Sequence, residues 1–209
     1  MNYEELQQEV LLKLKDESSE ILVRIPDLVN DAIGLICEDV DLPALKTLGS
    51  ITTALGVAYT AMPSNSTGRL LYAGTSEGQL MIYKEGLEGL LSYYVTLDNE
   101  GDLEAICLEG NVVYYQNIPA EETAITVLYL RDPTLLVSNV DIPTYIPLVA
   151  HRETIVPKTC ELAYGIIESK MGDKPNTDRY SAEYEMGKAK LLAWVSKRVG
   201  PREKTIWDV

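Results

Sequence analysis

Phenylalanine is missing from this chain, histidine occurs once, at His151, and cysteine three times. Each scarcity closes a chemical route. Cys37, Cys107 and Cys160 stand about 50 to 70 residues apart with no Cys-x-x-Cys pair, so a structural zinc lacks both its ligand spacing and a second histidine. An odd set of widely spaced thiols fits a reducing, cytosolic setting better than a disulfide framework. Apolar runs are short as well: Ile142 to Ala150 is broken by Pro147, far from the ~20 residues that span a bilayer. The opening segment carries Glu4, Glu5 and Glu9 where an export signal needs basic residues followed by an apolar stretch. A soluble, unexported protein without membrane contact is expected. A P-loop, a dinucleotide fingerprint and a His-Glu-x-x-His pair are absent too, and no cofactor or metal is expected.

Positive charge is scarce until late in the chain. Residues 1–48 hold 4 basic and 11 acidic side chains, residues 49–138 hold 3 and 11, and residues 139–209 hold 11 and 10, which distributes the total of −14 as −7, −8 and +1. Such a chain repels phosphate over its first two thirds, which argues against tight nucleic-acid binding. The late basic residues are Lys188, Lys190, Lys197, Arg198, Arg202 and Lys204. They fit a helix C-terminus, where the dipole favours cations, or a docking surface for an acidic partner.

What is present suffices for a core. With 209 residues, 46% of them hydrophobic, folding buries roughly 70% of the extended-chain surface. Leu6, Val10 and Leu14 stand four apart, with Leu11 widening the stripe, and predict an amphipathic helix over 3–15. Pro26 opens a second helical stretch ending near Pro43. After Gly49 the composition turns to Thr, Val, Tyr and Ile with regular turn signals, and strands are expected at 56–62, 69–73, 79–84, 91–97, 103–108, 111–115 and 124–131. The last of these reads as a central strand and those after residue 90 as a meander. Helical spacing returns from Pro157 to Lys170, and again in a helix capped by Thr177 or Asp178 and running to about Val199, whose apolar strip should face the N-terminal pair. Gly200 and Pro201 stop it. The predicted fold class is α+β, with a helical bundle from residues 1–48 and 142–199, an inserted antiparallel β domain at 50–138, and a C-terminal tail at 200–209.

Few motifs carry chemistry. Gly74-Thr75-Ser76-Glu77-Gly78 matches the G-x-S-x-G nucleophile elbow, with His151 and several acids downstream, but the residues after Ser76 alternate like a strand and supply no helix for the second arm. A Gly-Ser turn explains it better. Asp98-Asn99-Glu100-Gly101-Asp102 begins like a calcium loop, yet Leu103 stands where that loop needs glycine, and a solvated hairpin turn is the simpler reading. His151 could act as a base paired with Glu153, or serve as a helix-start or interface histidine. The 13 tyrosines carry the aromatic load. Tyr93-Tyr94 and Tyr114-Tyr115, read as neighbours on strands, must each point one ring away from its own core, which suits either a two-layered insert or an oligomer contact.

Taken in order, several phrases resemble the head-to-tail adaptor proteins of tailed phages, including the podovirus tail tubular protein A type and the related siphovirus and myovirus connectors. They are Tyr3-Glu4-Glu5-Leu6, the helix from Ile25-Pro26-Asp27-Leu28, and Pro119, Thr123, Thr126, Val127, Tyr129, Arg131 and Pro133 closing the β insert. Ile142-Pro143 or Ile146-Pro147 before His151 follows, then Cys160-Glu161-Leu162-Ala163-Tyr164 and Ser181-Ala182-Glu183-Tyr184-Glu185-Met186-Gly187-Lys188. Pro157 departs from the pattern, since relatives continue a helix unbroken from the histidine. The resemblance covers about residues 1–199 and implies a structural ring protein rather than an enzyme, usually with twelve copies. Such a ring docks under the portal protein at the head-tail interface of the virion, after synthesis in the host cytoplasm. It extends the DNA channel without gripping DNA and offers a platform for stopper or tail proteins. The family's C-terminal segment reaches the portal, which implies docking by Arg202, Lys204, Ile206, Trp207 and Val209. Two readings from other classes stay open: a small intracellular serine hydrolase using Ser76 and His151, and a soluble binding module of unknown ligand.

Overall fold

Asn2 starts the first helix. Its side-chain oxygen accepts the Glu5 N–H at 2.8 Å while the Glu5 carboxylate accepts the Asn2 N–H at 2.9 Å, a capping box that satisfies two donors at once. Helix α1, Tyr3–Lys13, then buries Tyr3, Leu6 and Val10. Leu11 does not widen the stripe; it is exposed, turned about 100° from Val10 around the helix. The computed structural model describes residues 1–14, 19–169 and 173–199. Two units are distinguished, Met1–Ala44 with Pro133–Val209, and Leu45–Asp132.

In the first unit, helix α2, Ser19–Asp39, contains Pro26 in its interior, which corrects the reading that Pro26 opens it. An internal proline forfeits one helical N–H. Burial of Ile21 and Ile25 upstream, continuous with Leu28, Val29, Ala32, Ile33 and Ile36, offsets that loss. A second correction concerns the return to helices. The backbone is helical from Leu148, through a 3-10 turn at Leu148–Ala150 and a π turn at His151–Ile155 into α4, Val156–Ile167, rather than starting at Pro157. Pro157 cannot give an N–H to the Glu153 carbonyl four residues back. The π turn, in which the Val156 N–H reaches the His151 carbonyl, absorbs the defect. Helix α5, Pro175–Val199, completes the unit. Its start precedes the expected caps. Packing also differs: α4 contacts α1, α2 and α5, while α5 lies chiefly on α4 and the π turn, so the N-terminal pair is not its main partner.

The second unit holds two sheets. In the first, β7 (Ala124–Arg131) lies between β1 (Lys46–Thr52) and β3 (Ser66–Gly74), antiparallel to both. β7 has the bounds expected and is central. No strand was expected at 46–52, because only Ile51 of β1 is buried and its periodicity is correspondingly faint. The other sheet runs β2 (Tyr59–Ala61), β6 (Val112–Tyr115), β5 (Ala105–Glu109), β4 (Met81–Tyr83). β5 and β6 form a hairpin through Gly110-Asn111, with Gly110 at φ 59°, the conformation a two-residue hairpin loop asks of glycine.

The strand expected at 91–97 is overturned. Gly86–Tyr93 is a helix, α3, because β4 and β5 pair in parallel and parallel neighbours need a crossover. Leu90 of α3 packs on Ala105 and Cys107. Tyr93 and Tyr94 therefore sit at a helix end. The main core of this unit gathers Ile51, Ala73, Ile106, Tyr115, Ile125 and Val127 from both sheets.

Candidate functional site

Ser76 lies exposed in a tight connection between β3 and β4, closed by the Thr75 N–H to the Gly78 carbonyl at 2.8 Å and bridged at Gly74 and Gln79. A strand follows it, so the strand-to-helix arm that sharpens a nucleophile elbow is not formed. His151 is fully buried in the first unit. Its Nε2 lies 2.9 Å from the Ile146 carbonyl, and its Nδ1 lies 3.2 Å from both the Met1 amino nitrogen and the Met1 carbonyl. Burial, the largest influence, holds its pKa below the ordinary histidine value against the pull of the carbonyls. Glu153 pairs with Lys190 at 3.0 Å, not with His151. The acids at 98–102 lie in the irregular segment between α3 and β5 rather than in a hairpin turn. Among the described residues, no three or more His, Cys, Asp or Glu side chains are grouped to hold a metal ion.

All three cysteines are buried, and burial pushes the thiols of Cys37 and Cys160 up to about 12 and that of Cys107 to about 11. Such thiols are poor nucleophiles.

Polar side chains of the first unit mainly lock helices together. Glu168, at the end of α4, accepts four hydrogen bonds at 2.8–3.2 Å from Asn176 and Thr177, two of them from backbone N–H groups in the first turn of α5. A carboxylate there also meets the positive end of the helix dipole. Burial opposes its ionisation, yet the hydrogen bonds together hold its pKa below the usual carboxylate range. Tyr184 is 2% exposed and donates to the Asp39 carboxylate at 2.7 Å, while the ammonium groups of Lys158 and Lys188 stand 4.8 and 5.2 Å from its ring centre. Gly187 has a different role: a Cβ there would run into the Glu153 carbonyl. That is the carbonyl Pro157 leaves without its usual partner, and only glycine lets α5 close on it.

Apolar surface concentrates in Pro133–Ala150. Leu135, Val137, Val140, Leu148 and Val149 are all exposed, Val137 at 83% and Val140 at 74%. The segment that displays them is fastened. Asn30 donates to the Leu136 carbonyl at 3.0 Å and accepts its N–H at 2.9 Å. The Asp141 carboxylate accepts the N–H groups of Val137 and Ser138 at 2.8 Å each, which holds its pKa down. Two N–H groups at the start of α1 donate to the carbonyls of Asn139 and Asp141, and Tyr145 donates to the Thr134 carbonyl at 3.0 Å. Sequence reading missed this surface, although the signal was present: one charged residue among the eighteen from Pro133 to Ala150.

The expected portal-docking residues Arg202, Lys204, Ile206, Trp207 and Val209 lie outside the described residues. Among those described, no helix is long and apolar enough to cross a membrane. In comparison with known families, the profile described as SU10 adaptor protein matches residues 1–202. No curated protein matches the chain.

Proposed function

We propose, from the premise that this chain belongs to the SU10 adaptor protein family, that it forms a ring beneath the portal of a tailed phage, extends the DNA channel and carries the stopper or tail. A phage adaptor is a structural part of an assembly, and the profile match over residues 1–202, which takes in both units, carries the reading. The acidic composition agrees with it. DNA must slide through such a channel, and a subunit of net charge −14 repeated around a lumen repels the phosphate backbone. The helical unit surrounds the channel in this reading. Residues 200–209 reach the portal, with Ile206 and Trp207 as apolar anchors and Arg202 and Lys204 beside them. Twelve copies match the usual number in the adaptors it resembles.

Quantitative mass spectrometry of purified virions tests this. The chain is expected in near-equal copy with the portal protein. Its absence from particles, with the protein left soluble in the cell, would overturn the adaptor reading.

A further inference from the structure

Helix α5 outlasts its support. It runs antiparallel to α4: its first turn meets Glu168 at the end of α4, while Gly187 and Lys190 meet Glu153, just before α4 begins. The helix continues to Val199, about 18 Å beyond Gly187 at 1.5 Å per residue. From Leu192 on, no described residue of α5 is fully buried. That end displays Leu192, Trp194 and Val195 beside Lys197 and Arg198, with no acid after Glu185 in the helix. Among the described residues neither cation has a carboxylate partner; Arg198 lies 4.1 Å from the centre of the Trp194 ring. The same unit holds a cleft of about 560 Å³ along α2 and α4, lined by Leu28, Leu35, Leu162 and Ile166, in which Asp31 and Glu38 are the only charged residues. Both acids are exposed, and among the described residues neither forms an ion pair. We infer that the end of α5 of one copy seats in the α2–α4 cleft of a second copy of the chain. The inference rests on the ring reading above and names a contact that joins its subunits.

Three observations choose the occupant. First, copies with a net charge of −14 repel one another over most of their surface, so they associate best where one copy brings cations to the acids of the next. Lys197 and Arg198 against Asp31 and Glu38 supply that complementarity, and Leu192 and Val195 supply apolar area for Leu162 and Ile166. Second, the two surfaces cannot meet within one chain. The end of α5 extends past the start of α4, whereas Leu162 and Ile166 lie in the second half of α4, toward the opposite end. Third, the inserted element is already helical in the single chain, so seating it costs little ordering entropy. A convex end and a different concave patch on one chain make a heterologous contact, the kind that closes into rings.

The test is a charge swap in full-length chains, read as incorporation into particles. Lys197→Glu with Arg198→Glu sets an acidic end against an acidic cleft, and Asp31→Lys with Glu38→Lys sets a basic end against a basic cleft. Each double variant alone should enter particles about tenfold less than the wild type, since like charges are brought face to face. An equimolar mixture should restore incorporation, because every end then meets a cleft of opposite sign on its neighbour. Such rescue shows both variants to be folded, and it does not occur if the portal, a tail protein or DNA occupies either surface. Undiminished incorporation of either variant alone overturns the proposal. If the mixture restores nothing, a cross-link decides: Leu192→Cys and Leu162→Cys chains are mixed and treated with a short bis-maleimide. The three native cysteines are buried and do not compete. A covalent dimer that needs both variants supports the contact, and monomer alone overturns it. If the wild-type chain is absent from particles, the adaptor reading fails instead, and the same cross-link on the concentrated purified mixture decides in the same way.

Discussion

Glu168 holds the start of α5 from outside that helix. The carboxylate, at the end of α4, accepts the backbone N–H groups of Asn176 and Thr177 in the first turn of α5, and its pKa is lowered in the fold. The contribution is therefore complete above the unfolded glutamate value of about 4.3 and disappears as pH falls through the lower folded value. Thermal unfolding followed from pH 7 down to acid should show the wild type losing stability in that window. Glu168→Gln should melt lower at neutral pH and slope less as the acid is added; parallel curves would contradict the assignment. The buried thiols give a second check. In the native protein none of the three cysteines should react with a thiol reagent over minutes, and all three should react in denaturant. Single residues were unevenly legible beforehand. His151 could be weighed as a helix-start or interface histidine because no second histidine, reactive cysteine or fixed nucleophile accompanies it, and it proves buried against backbone carbonyls. The role of Glu168 depends on contacts with Asn176 and Thr177 in the next helix, where no periodicity points.

At the scale of elements, the tightest fit is between α5 and the π turn. Gly187→Ala must push a methyl group into the Glu153 carbonyl, and since backbone cannot swing aside, a loss of about 2–3 kcal/mol is expected. Gly165→Ala in α4 is the control, with nothing near its Cβ position; there the helix should gain about 0.5–1 kcal/mol. Denaturant midpoints of the two variants should move in opposite directions, and equal shifts would remove the close approach as the cause. Elements with a strong apolar pattern were readable: α1 from its stripe, and β7 to the residue from Ala124 to Arg131. Those whose form depends on a neighbour were not. β1 is a strand because β7 has a free side to pair with, and α3 is a helix because β4 and β5 run parallel. Pro26 and Pro157 misled for a related reason. Local rules put a helix start at each, while burial on the preceding turn carried the helix through.

For the molecule as a whole, family membership spans residues 1–202, and the adaptor role was legible in the order of weak phrases along the chain rather than in any site. A tail truncation separates fold from attachment: removing residues 201–209 is expected to abolish portal binding in a pull-down and leave the melting curve unchanged, and undiminished binding would move the docking role elsewhere. The first unit is discontinuous, leaving at Ala44 and resuming at Pro133, and this orders events on the ribosome. Leu45–Asp132 emerges as one stretch and can fold while the rest is still being made, whereas α1 and α2 wait for α4, which ends at Ile167. At ordinary elongation rates that wait lasts roughly 6–25 s. Stalled nascent chains ending before and after α4, once extruded, should differ in protease resistance at α1 and α2 but not in the β unit. During that interval the apolar faces of α1 and α2 have no lasting cover, so slowed translation between Leu45 and Ile167 should cost yield through aggregation while the finished protein is unaffected.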